Sequence, residues 1–105
     1  MRSLKAKKTK PLLVLHANGI DYVVVHDATL AGRGLRAGLH TEECRIDLDP
    51  SLPRQRQEAG LLHEIVHIAG EHTGMKERAV EILSDNLYAI LSDNGLWRSP
   101  LKGAK

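Results

Sequence analysis

His63-Glu64-Ile65-Val66-His67 sets two histidines four residues apart, with a glutamate directly after the first, inside a stretch whose neighbours read as helix. A helix turns about 100° per residue, so positions 63 and 67 fall on nearly one face, a turn apart, and both imidazoles can reach a single ion. Glu64 flanks that face and can reach a water beside the ion without taking a coordination position. This is the arrangement a zinc hydrolase needs. The surrounding residues narrow the fold further. Residues 61–69 read Leu-Leu-His-Glu-Ile-Val-His-Ile-Ala, apolar on almost every side apart from the three motif residues. A helix of that kind is buried, and buried polar groups require partners. One metal ion would satisfy all three.

The chain has 105 residues, enough for one domain with a single modest core. Two tyrosines, one tryptophan and no phenylalanine make that core aliphatic and leave no base-stacking surface of the kind single-stranded nucleic-acid binders use. The formal charge of +2 is unevenly spread. Arg2, Lys5, Lys7, Lys8 and Lys10 face no acid within residues 1–10, so the remainder holds ten basic against thirteen acidic side chains. Residues 1–10 are therefore expected to be a disordered basic arm, able at most to make weak, salt-dependent contact with nucleic acid. Cys44 is the single cysteine, which excludes an intrachain disulfide and a zinc-finger ligand set and suits a reducing, cytoplasmic setting. The apolar run at 11–15 is too short for a signal peptide, and no run approaches a membrane span.

Organisation follows from turn chemistry. Residues 12–15 and 20–26 are two strand candidates joined through Asn18-Gly19, a strong hairpin signal because both residues tolerate the positive φ of a tight primed turn. Residues 31–38 are glycine-rich and basic but lack the Lys-Ser/Thr ending of a phosphate loop, so they read as a flexible connection. Residues 44–49 alternate apolar and polar, the pattern of a half-buried strand, until Pro50 and Pro53 break it. The first helix is expected from about Pro53, with Ser51 as its cap, to Gly70. A turn at 72–74 leads to a second helix from about Met75 to Ser92, whose Val80, Leu83, Leu87 and Ile90 form one apolar, core-packing face. Asp93-Asn94-Gly95 ends it, Leu96-Trp97 packs back, and residues 99–105 read as a loose tail. The domain proper spans 11–98.

A catalytic zinc site takes three protein ligands and keeps one position for water. His63 and His67 supply two. The third-histidine position of metzincins is here Thr73, with His72 one residue short, so that pattern fails. Glu77 and Glu81, one turn apart on the second helix, can each fold back over the histidines. Glu77 lies nearer the Val80 and Leu87 face and is the preferred ligand, with Glu81 then hydrogen-bonding a ligand histidine. The rival assignment rests on Glu81-Ile82-Leu83-Ser84-Asp85, which resembles the Glu-x-x-Ser-Asp stretch of thermolysin-like enzymes and makes Glu81 the ligand, with Asp85 supporting it. His72 and Tyr88 are the nearby candidates for stabilising an oxyanion.

The block 61–69, preceded by Ile46-Asp47-Leu48-Asp49 and followed by 76–84 and 87–94, resembles small phage and prophage metallopeptidase-like proteins. These in turn are similar to the ImmA/IrrE group and the minimal gluzincins. The resemblance covers about residues 43–94. It implies an α+β, zincin-like minimal fold: a small, mostly antiparallel sheet packed on the active-site helix, plus a second, C-terminal helix. It also matches Glu77 to the ligand glutamate of the ImmA-like second helix, with Val80 in place of an alanine. The loop between helices is shorter than in most ImmA-like proteins, and no separate helix-turn-helix domain is present. The expected activity is zinc-dependent peptide-bond hydrolysis in a specific protein, such as a repressor-type regulator, with Glu64 as general base. The substrate is expected along the edge strand 44–49 by β-addition. Two other readings stay open: a catalytically inactive zinc-binding module, and an accessory or regulatory protein using the basic arm.

Overall fold

A computed structural model describes residues 11–101 as a mixed four-stranded sheet with two main helices, an α+β arrangement. The basic arm lies outside the described residues. Strands β1 (Leu13–Ala17) and β2 (Ile20–His26) form the expected antiparallel hairpin. Asn18 and Gly19 both adopt left-handed backbone, at φ 53° and 82°, which gives the two-residue turn the twist that matches the strands.

Residues 31–38, read from sequence as a flexible connection, are instead structured. Asp27 accepts hydrogen bonds from the Thr29 amide (2.9 Å) and hydroxyl (2.7 Å), which start a 3-10 helix over Ala28–Arg33. Gly34, at φ 71°, ends it. The chain then enters β3 (Ala37–His40), a strand whose own residues carry little β-propensity and which is held by its antiparallel pairing with β4 (Arg45–Leu48).

Strand order is β1-β2-β4-β3, so β4 is inserted between β2 and β3 and pairs parallel with β2. Two of the three pairings are antiparallel, and the central one is not. This placement overturns the reading of 44–49 as a half-buried edge strand. Both sides of β4 are paired and both its faces are covered, so Ile46, Asp47 and Leu48 are all buried. Asp47 is satisfied there by Arg45 Nε, which donates at 2.7 Å, and by His40 Nε2 at 3.0 Å. The free edge on this side of the sheet belongs to β3.

Helix α1 (Arg54–Ala69) packs on β3, β4 and the second helix, α2 (Glu77–Asp93). Pro53 precedes α1, but Ser51 does not cap it: its hydroxyl and amide both donate to Asp49 Oδ1, at 2.7 and 2.9 Å. Gly60 brings the helix close to the sheet, since a Cβ there would stand 3.2 Å from that of Ala37. Leu61 and Ile68 join Tyr22, Val24, Ile46 and Leu48 in the core.

Two expectations for the C-terminal part are corrected. Leu83 and Ile90 are exposed; α2 buries Val80 and Ser84, with Leu87, Tyr88 and Leu91 half-buried, because it meets α1 on a narrower and rotated stripe. Leu101, assigned to a loose tail, is fully buried in the core cluster. Trp97 does turn back, its ring edge-on to Tyr88 at 5.3 Å, whereas Leu96 stays exposed.

Candidate metal centre

His63 and His67 project from consecutive turns of α1, with ring centroids 4.9 Å apart. Glu77 is the first residue of α2, and the tight turn after Gly70 folds it over both rings. Thr73 fixes that turn by donating its hydroxyl to the Gly70 carbonyl (2.7 Å) and accepting from the Met75 amide (3.2 Å). The two carboxylate oxygens of Glu77 divide between the histidines: Oε2 stands 3.1 Å from His63 Nε2, and Oε1 stands 2.8 Å from His67 Nε2. At the start of a helix the carboxylate also meets the positive end of the helix dipole. Two imidazole nitrogens and one carboxylate oxygen thus lie within 4.8 Å of one another, a set that could hold a metal ion.

Among the described residues, no other group of three or more such donors forms. Glu81 is exposed and outside the triad, though it lines the same cleft. Asp85 points to Arg36, at 3.6 Å. Neither supports a ligand histidine as expected. That position is taken by Ser84, wholly buried, whose hydroxyl donates to the Glu81 carbonyl (3.2 Å) and lies 3.4 Å from His63 Nδ1. With its proton on that carbonyl, Ser84 Oγ accepts from Nδ1–H. In that tautomer His63 presents an unprotonated Nε2 toward the Glu77 carboxylate, an arrangement a cation between them would bridge; with the proton on Nε2 instead, His63 donates to Glu77. Burial of His63 favours the neutral ring, holding its pKa below the usual imidazole value despite the nearby Glu77 carboxylate.

Glu64, 6 % exposed, faces the cleft beside His63 and Glu77. Burial pushes its carboxyl up to about 7, with His67 opposing the shift and Glu77 adding to it. The cleft has a volume of about 600 Å³. It runs from His63 and Glu77 past Arg36 toward Arg56 and the 3-10 helix.

The two expected oxyanion donors do not reach it. His72 is exposed in the turn, and the Tyr88 hydroxyl is committed to Glu58 Oε1 at 2.7 Å, about three helical turns along α2 from Glu77. Burial and that hydrogen bond push the phenol up to about 12. Arg36, Arg56 and Ser51 are the hydrogen-bond donors that line the cleft instead. Ser84 had a sequence signal, since it follows Glu77 by seven residues, two helical turns on the same face. Arg36 had none, because only the fold brings it to α1.

No protein family, curated protein or solved structure matches the chain. Among the described residues, no helix is long and apolar enough to cross a membrane.

Proposed function

We propose that the chain is a zinc-dependent metallopeptidase of the minimal gluzincin type, with His63, His67 and Glu77 holding the metal and Glu64 acting as general base. The observation that carries this reading is the placement of a buried, unusually basic carboxyl directly beside a two-histidine, one-carboxylate cluster. The donor set fits zinc by chemistry and by size. Ligands about 2.0–2.1 Å from a tetrahedral ion stand roughly 3.3 Å apart; the two histidine–carboxylate spacings, 3.1 and 2.8 Å, are near this, and the three donors lie within 4.8 Å of one another. Three ligands, and not the four that structural sites favour, support a catalytic role over a purely stabilising one.

When bound, zinc lowers the pKa of water and polarises a carbonyl. The rest falls to the chain. Glu64 removes the proton from the attacking water and delivers it to the leaving amine, a task for which a carboxyl titrating near 7 suits neutral pH. Ser84 holds His63 in the tautomer that presents Nε2 to the metal. The substrate is an extended segment of a protein, a repressor-type regulator being the class the sequence resemblance favours. It adds to the sheet at β3, the edge strand beside the cleft.

The test is metal content and cleavage together. Purified chain should carry one zinc, which is lost in His63→Ala, His67→Ala and Glu77→Ala and kept in Glu81→Ala. Glu64→Gln should keep zinc while cleavage of a proteome-derived peptide library falls by about 10²-fold or more. A chain that takes up no zinc at saturating metal, or a Glu64→Gln variant that cuts at the wild-type rate, overturns the reading.

A further inference from the structure

We infer that the cleft beside the triad selects a substrate bearing a carboxylate near the scissile bond, bound by Arg36 and Arg56; this rests on the peptidase reading above. Arg56, Gly60 and Glu64 follow at four-residue steps along one face of α1. At Gly60, between them, the helix closes against Ala37 and Arg36, whose side chains line the cleft there. A Cβ at that position would meet the Arg36 side chain at 3.8 Å, so Arg36 crosses α1 there. With a rise of about 1.5 Å per residue, the crossing lies about 6 Å from the level of Glu64 and Arg56 about 12 Å from it. An extended peptide advances about 3.3 Å per residue, so a group roughly two residues from the reacting carbonyl reaches Arg36.

None of the cleft's acids makes a direct ion pair with either arginine, although the Arg36 charge is near enough to favour the ionised form of Glu64. Asp49 is engaged by Ser51, and Glu77 by both histidines. Arg36 pairs at 3.6 Å with Asp85, a side chain 51 % exposed, and so partly solvated a pair is readily exchanged. Arg56 is exposed and makes no ion pair among the described residues. A guanidinium fork matches a carboxylate in two parallel hydrogen bonds. A doubly charged phosphate suits the cleft less well, because Glu64, Glu77 and Glu81 line it too. Leu35 and Leu52 add apolar wall beside the arginines.

The carboxylate is either an acidic side chain or a free chain terminus, and defined peptides separate the two. Full-length Glu64→Gln chain with measured zinc content is titrated with three N-acetylated hexa-alanine peptides: a C-terminal amide, a free C-terminal acid, and an amide with one internal Glu. At least one carboxylate peptide should bind about tenfold or more tightly than the neutral amide, with amide shifts centred on residues 34–37 and 56–60. A preference for the free acid identifies the terminus, and a preference for the Glu peptide identifies the side chain. Arg36→Gln and Arg56→Gln should each reduce the preference and leave zinc content unchanged. The second of these alters an exposed side chain and keeps the test open if the first misfolds. Equal binding of all three peptides, or a preference that survives both substitutions, overturns the inference. Failure to take up zinc overturns the peptidase reading, whereas zinc uptake without a carboxylate preference overturns only this one.

Discussion

Ser84 has one hydroxyl proton and two polar neighbours, and the way it divides between them decides which nitrogen of His63 is free for a metal. Removing the hydroxyl in Ser84→Ala frees the imidazole to change tautomer. Zinc affinity should then fall about 10- to 100-fold, as read by competition with a chelating dye. Unchanged affinity would show that the serine only fills space. Glu64 gives a second prediction, in pH. Its folded pKa, about 7, is above the ordinary 4.5, so the fold favours the protonated form. The contribution is fully present below 4.5 and is lost as pH rises through 7. His63 works oppositely, its lowered pKa withdrawing stability as pH falls below 6.5. The difference between wild type and Glu64→Gln isolates the carboxyl. In metal-free chain, the wild type should lose on the order of 3 kcal/mol relative to Glu64→Gln between pH 4.5 and 7.5, measured by urea unfolding. At this scale the motif was legible because local spacing on one helix determines which side chains meet. Ser84 escaped because a hydroxyl on an amphipathic helix reads as solvent-facing, and Arg36 because its neighbours are remote in sequence.

Between the two helices, the Tyr88 hydroxyl donates to Glu58, a carboxyl only 4 % exposed. Tyr88→Phe leaves that carboxyl without its donor, and should cost about 1–3 kcal/mol of stability in denaturant unfolding with little effect on zinc binding. A stability loss below about 0.5 kcal/mol would place solvent at Glu58. The elements that could be read from sequence were those with strong local chemistry. Asn18-Gly19 specified its turn, and Gly70 and the Asp93-Asn94-Gly95 run closed their helices close to where they end. Strand β3 could not be read, because Ala37-Gly38-Leu39-His40 takes its extended form from the partner strand. The buried stripe of α2 was misplaced for a related reason. Apolar periodicity marks Val80, Leu83, Leu87 and Ile90, but a helix packed on one neighbour buries only what that neighbour touches, and here the contact includes a serine and a tyrosine. Likewise Gln57 and Glu58, in the polar half of α1, are buried through bonds to His26, the Leu52 carbonyl and Tyr88 that no local pattern foretells.

In the whole molecule, one core ties the sheet to α1 and to the C-terminal segment through Leu101. Leu101→Ala should cost about 2–5 kcal/mol, a large share of the roughly 5–15 kcal/mol available to a domain. A thermal melt followed by circular dichroism would show it as a marked fall in midpoint; an unshifted melt would mean the segment contributes nothing to the core. The strand order carries a consequence for the route by which the molecule assembles. β3 follows β2 in the chain but is separated from it in the sheet by β4, so it has no place to bind until β4 has arrived. The β3–β4 hairpin is closed by the local turn at 41–44, which lets it form on its own and dock as a unit onto β2. Docking delivers in one step the free sheet edge, the cleft wall at Arg36 and the strand against which Gly60 seats α1. The pair should also come away as one piece: amide exchange in β3 and β4 should open together, ahead of the β1–β2 hairpin.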